Sequence, residues 1–114
     1  MENKDLGPTS IGMQANVAGL LCYAPYIGLI MAIVLFVIEK QNKFVRFHAL
    51  QSIVLCVALI LLSMILAFIP LIGWVIMPVV VIGSIILCIV LMIKAYQGEM
   101  FKLPVVGDIA EKNS

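Results

Sequence analysis

A chain of 114 residues with 64% hydrophobic and 11% charged side chains and a mean hydropathy of +1.21 stands far from the soluble globular mix, in which about a quarter of residues are charged. A net charge of +1 gives no broad basic face for nucleic acid, and the length holds one compact unit with no separate soluble domain. The expected fold class is all-α: an integral membrane protein with three transmembrane helices, an interfacial helix before the second and an interfacial C-terminal segment.

In chain order, residues 1–15 read as a flexible polar leader and residues 16–112 as a single membrane domain. The first apolar run exceeds the roughly 7–15 residues of a signal-peptide core and carries no small-residue cleavage site, so it is expected to be retained. It supplies the first span, at about 17–38, whose only ionisable side chains are Cys22, Tyr23 and Tyr26. At about 1.5 Å per residue this run crosses a hydrocarbon core of about 30 Å. Pro25 predicts a kink, Tyr23 and Tyr26 an outer interface, and Gly19 and Gly28 close helix approach. Splitting the run at Pro25 into two spans is rejected, because each half is too short to cross.

Glu39-Lys-Gln-Asn-Lys43 ends the first span. Residues 43–50 form the expected interfacial helix, with Phe44, Phe47, His48 and Gln51 at helical spacing. The second span is placed at about 50–69 and the third at about 74–94, with Pro70, Gly73 and Trp74 marking a charge-free connection that forces an antiparallel hairpin. Gly83-Ser84 offers a small contact surface in the third span. Residues 96–112 read as an interfacial tail, in which Asp108 caps a short last helix through Glu111. Three spans put Lys40, Lys43, Arg46, Lys94, Lys102 and Lys112 on one side and Lys4 on the other. By the positive-inside rule, the amino terminus is then outside and the carboxyl terminus cytoplasmic, in the cell membrane.

The residues that could carry chemistry are few. Cys22, Cys56 and Cys88 sit singly in apolar runs and read as packing residues rather than as a disulfide framework or zinc site. His48 stands without companion ligands at a metal spacing, so no metal and no cofactor are expected. The sharper reading is a polar cluster on the inner face, in which Glu39, Arg46, His48, Gln51 and Ser52 hold Tyr96, Gln97, Glu99 and Asp108 of the tail through charge-assisted bonds. Lys40, Lys43, Arg46, Lys94 and Lys102 are candidate headgroup contacts. Ser52, Ser63 and Ser84 lack partners for a nucleophilic triad, and no phosphate loop or paired carboxylates appear. An enzyme is not expected, and no mid-membrane charge marks a transport path.

Two stretches, Lys43-Phe-Val-Arg-Phe-His-Ala-Leu-Gln-Ser52 and Ala95-Tyr-Gln-Gly-Glu-Met-Phe-Lys-Leu-Pro-Val-Val-Gly-Asp-Ile-Ala110, together with Phe68-Ile-Pro-Leu-Ile-Gly-Trp74, resemble a domain-of-unknown-function family of small bacterial and archaeal membrane proteins. That family is similar, more distantly, to the chloroplast inner-envelope Tic protein-import component, which has an additional span. The resemblance implies a membrane protein without enzymatic activity, and by the distant link a channel-forming or translocation subunit. Three functions follow as expectations: a structural or interaction subunit that self-associates or joins a membrane protein partner; an oligomeric channel or translocation component; and a protein that binds membrane lipids.

Overall fold

The computed structural model describes residues 14–24 and 27–114. Its elements are all helices: α1 (Ala15–Leu21), α2 (Gly28–Ile38), α3 (Lys43–Ala67), α4 (Ile72–Tyr96) and α5 (Val106–Asn113). Two of them, α3 and α4, are long and apolar enough to cross a membrane. Each has 25 residues, or about 37 Å of helix against a hydrocarbon core of about 30 Å. α4 keeps most of its apolar side chains exposed, and α3 does so from Val57 onward, as a lipid-facing helix does and the core helix of a soluble protein does not.

The expected first span at 17–38 does not form. The run is broken into α1, 7 residues and about 10 Å long, and α2, 11 residues and about 16 Å long, neither of which crosses about 30 Å. Their contacts run in opposite directions along α3. Gly19 of α1 lies against Phe44, His48 and Ala95, and the Cys22 carbonyl accepts from Ser52. Gly28 then shares a cavity wall with Leu55, Cys56 and Leu59, and α2 returns until the carbonyls of Phe36 and Glu39 accept from Arg46. The chain dips in beside α3 and comes back at the same end. The reversal is tight: a Cβ on Gly28 would stand 2.9 Å from the Cys22 carbonyl oxygen, nearer than any side chain tolerates, so glycine is required there. Pro25, Tyr26, Lys4 and the leader up to residue 13 lie outside the described residues.

Three further expectations change with this geometry. Asn16 Nδ2 donates to the Tyr96 carbonyl at 3.1 Å, so the start of the domain and the end of α4 share one end of the hairpin. An amino terminus outside with a carboxyl terminus inside would need them at opposite ends. The interfacial helix at 43–50 is not separate: it is the first part of α3, continuous to Ala67, because nothing between Lys43 and Ala67 breaks a helix. Tyr23 is not at an outer interface but 2% exposed in the core.

Local signals fix the helix ends. Asn42 caps α3 by accepting from Val45 N at 3.1 Å, which satisfies one of the unpaired first-turn donors. At the end of α4, Gly98 adopts φ 82°; its N–H donates to Ala95 O at 3.0 Å and that of Glu99 to Lys94 O at 3.0 Å. This pair of bonds is a Schellman motif, and it turns the tail back across the bundle. The α3–α4 turn closes on Gly73, whose absent side chain leaves room for the Leu66 carbonyl.

Candidate functional site

At the charged end of the hairpin, α1, α3, α4 and the tail enclose a set of polar side chains that low-dielectric surroundings require to be paired. Phe47, His48, Gln51 and Glu39 are fully buried and Ser52 nearly so. His48 and Gln51 project from the same face of α3, being three residues apart. Three aromatic rings meet the His48 ring edge-on: Phe44 at 4.6 Å, Phe47 at 5.1 Å and Tyr23 at 5.5 Å between centroids.

The hydrogen bonds form one directed chain. Gln51 Nε2 donates to Tyr23 Oη at 2.8 Å and to the Phe101 carbonyl at 3.0 Å, using both amide protons, while Gln51 Oε1 accepts from Leu103 N at 3.0 Å. His48 Nε2 lies 2.9 Å from the Glu99 carbonyl, an acceptor only, so Nε2 carries a proton. Tyr23 Oη, already accepting from Gln51, gives its own proton to His48 Nδ1 at 2.8 Å. That assignment makes His48 the neutral Nε2–H tautomer and leaves every polar atom of His48 and Gln51 matched. The result is a strap: alternate main-chain groups of Glu99, Phe101 and Leu103 are held by two α3 side chains, as a neighbouring strand would hold them.

The expected inner-face cluster therefore divides in two. His48 and Gln51 do hold the tail, but through its main chain, and His48 is buried rather than at the surface. Arg46 does not reach the tail. Its guanidinium donates to Phe36 O at 2.9 Å and Glu39 O at 2.8 Å and stacks over the Phe36 ring at 4.3 Å, so it seals the α2–α3 connection. Glu39 works in the same place: its carboxylate accepts from Gln41 N at 3.1 Å and Asn42 N at 2.9 Å. Ser52 bonds the Cys22 carbonyl and ties α1 rather than the tail.

Among the tail residues, Tyr96 contributes its carbonyl to Asn16, and Gln97 is the C-cap of α4. The Glu99 side chain pairs with Lys94 at 3.7 Å while its carbonyl serves His48. Asp108 is exposed within the first turn of α5, whose N-cap is Val105, so it neither joins the cluster nor caps. Glu111 instead binds Lys102 at 3.1 Å. Of the candidate headgroup residues, Lys40 and Lys43 are exposed at the α2–α3 connection, Lys94 and Lys102 are half-exposed and paired, and Arg46 is turned inward.

Two features escaped the sequence reading. Tyr23, assigned to an interface, is the middle of the hydrogen-bond chain; its place two residues before Pro25, where the apolar run is broken, was the available signal. The three cysteines, scattered in sequence, line one cavity of about 190 Å³ together with Tyr23, Gly28, Ser52 and Leu55. They are free thiols, and among the described residues no three His, Cys, Asp or Glu side chains are close enough to share a metal ion.

Residues 8–110 match the magnetosome magnetite crystal formation protein family. The chain belongs to that family. Among its relatives, a UPF0132 membrane protein of Methanocaldococcus jannaschii is 52% identical over 109 residues, covering 96% of each chain. A second from the same organism is 44% identical, covering 90% of this chain and 72% of the relative. One from Archaeoglobus fulgidus is 45% identical, covering 88% of this chain and 95% of the relative. Family and relatives agree with a small membrane protein of unknown role, as the two long apolar helices do. No solved structure matches the chain significantly. The wider resemblance to the chloroplast import component finds no support among these relatives.

Proposed function

We propose that this chain is a non-catalytic membrane subunit that crosses the bilayer twice, dips into it once more through the α1–α2 hairpin, and assembles with further copies of itself. The observation that carries the non-catalytic part is the closed hydrogen-bond chain from the tail through Gln51 and Tyr23 to His48 and Glu99. Both ring nitrogens of the buried histidine and every polar atom of Gln51 are already matched within the fold, which is the chemistry of a lock and not of a substrate site.

Orientation follows from charge. Lys40, Lys43, Arg46, Lys94, Lys102 and Lys112 all belong to the end where α1 begins and α4 finishes, so that end faces the cytoplasm, carrying Asn16 with it. Self-association is supported by Gly83, which lies on the exposed run of α4 with open space where a side chain would be, next to Ser84. Gly19 and Gly28 are taken up inside the fold, so the contact surface is on the third apolar run alone. Crosslinking in native membranes through Lys40, Lys43, Lys94 and Lys102, followed by mass spectrometry, is expected to give self-oligomers that Gly83→Leu diminishes. A product made only with another protein would remove the self-assembly reading. An oligomeric channel or translocation component would need the same assembly; sealed liposomes at high protein loading would dispose of it.

A second reading has an observation of its own. Lys40 and Lys43 are exposed side by side at the cytoplasmic end, where anionic headgroups contribute about 1 kcal/mol per basic residue. Equal retention in neutral and anionic bilayers would count against lipid binding. The mineral named in the family's description has no such support among the described residues, where no three His, Cys, Asp or Glu side chains stand together to hold a metal ion.

A further inference from the structure

The connection between α3 and α4 is built from Phe68-Ile-Pro-Leu-Ile-Gly-Trp74 and contains no polar side chain other than the indole of Trp74. It is nevertheless strongly exposed: Phe68 is 85% exposed, Leu71 73% and Trp74 60%. Exposed turns in water are ordinarily made of polar residues that solvate the chain reversal. Here five of the reversal's N–H groups are satisfied within it. The N–H groups of Phe68, Ile69, Ile72, Gly73 and Val75 donate to Ile65, Leu66, Pro70, Ile69 and Leu71 carbonyls at 2.8–3.2 Å, and Pro70 has no N–H to satisfy. Leu71 takes up φ 66° to allow it, a left-handed conformation that a branched apolar residue adopts only under strain.

Internal satisfaction of backbone groups is what hydrocarbon demands and water does not. The turn also continues, without any polar boundary, the apolar outer surfaces of α3 and α4: from Ile53 to Ile93 no side chain is charged, and the hydroxyl of Ser84 bonds the Val81 carbonyl. Length agrees. With Lys43 at the near headgroups, about 37 Å of α3 reaches only to the far boundary of a core of about 30 Å, leaving nothing to project beyond it.

We propose that the Phe68–Trp74 turn is a lipid-seated anchor, embedded at the far boundary of the bilayer and covered by lipid rather than exposed to water or to another protein. The inference rests on the two-span reading above and adds to it that the molecule presents its polar surface on one side of the membrane only. Any partner in the far compartment would meet no polar side chain at the turn other than the Trp74 indole, so recognition is confined to the cytoplasmic end or to contacts within the bilayer.

Trp74 is the single tryptophan, so the unaltered chain reports on its own turn. In reconstituted vesicles, lipids brominated on their acyl chains are expected to quench the Trp74 emission by more than half, while aqueous iodide leaves it within a tenth of its starting value. Iodide quenching comparable to that of free tryptophanamide would overturn the proposal, because the turn would then stand in water. Shielding from both quenchers would overturn it in favour of a covering protein surface. A separate measurement, protease or reporter accessibility of both chain ends in sealed vesicles, keeps the readings apart: ends on opposite sides would defeat the two-span reading, whereas ends on one side with an iodide-quenched Trp74 would defeat the anchor alone.

Discussion

Replacing Gln51 with leucine is the sharpest perturbation available, because leucine fills nearly the same space and removes only the polar atoms. Three bonds vanish, to Tyr23 Oη, Phe101 O and Leu103 N. Their consequences differ. Tyr23 keeps His48 as the acceptor of its proton. Phe101 is 40% exposed, so its carbonyl can regain water and the loss there is about 0.5–1.5 kcal/mol. Leu103 is buried, and its N–H is left without a partner, which costs about 1–3 kcal/mol. Together the docking of the tail weakens by about 2–4 kcal/mol, so its opening equilibrium rises roughly 30- to 1,000-fold at 1.4 kcal/mol per factor of ten. Hydrogen exchange in a detergent or nanodisc preparation reads this as lost protection across residues 99–113, with the middle of α4 unchanged. Full retention of protection in the tail would refute the reasoning, and would mean that Leu103, Val106 and Ala110 hold α5 in place by apolar packing alone.

Arg46→Ala is expected to raise exchange at the α2–α3 connection, where it bonds Phe36 and Glu39, and to leave the tail as protected as before; loosening of the tail would reunite the cluster that the structure divides. Gly73→Ala brings a Cβ into the Leu66 carbonyl, so the hairpin must splay at its turn, with a loss of several degrees in Tm in detergent; an unchanged Tm would mean that the closure is not tight. Lys102→Ala removes a half-exposed pair with Glu111, for which about 0.2–1 kcal/mol is the ordinary range. Its effect on Tm is expected to fall within about 6 °C, and to shrink further in high salt; a larger shift would make the pair a real tie for α5.

Sequence alone determined the solvent, the helical class and the basic end of this protein, since these depend on composition and on runs of like residues. It also showed the α3–α4 hairpin, because Pro70 and Gly73 between two charge-free runs permit little else. It did not show that the run from Val17 to Ile38 folds as two short helices. By hydropathy that run satisfies every test of a span, and only packing against α3, with Gly28 admitted against the Cys22 carbonyl, makes reversal the outcome. The partners of His48 were equally hidden. Charge suggested that Arg46 and acidic side chains would bind the tail, yet burial favours neutral groups whose bonds can all be matched, so His48 and Gln51, bridged by Tyr23, hold it by main-chain atoms that a sequence does not distinguish. Periodicity is local and was legible; which donor meets which acceptor across 25 to 52 residues was settled by the tertiary fold, where an unmatched group in a low-dielectric interior costs more than any local preference.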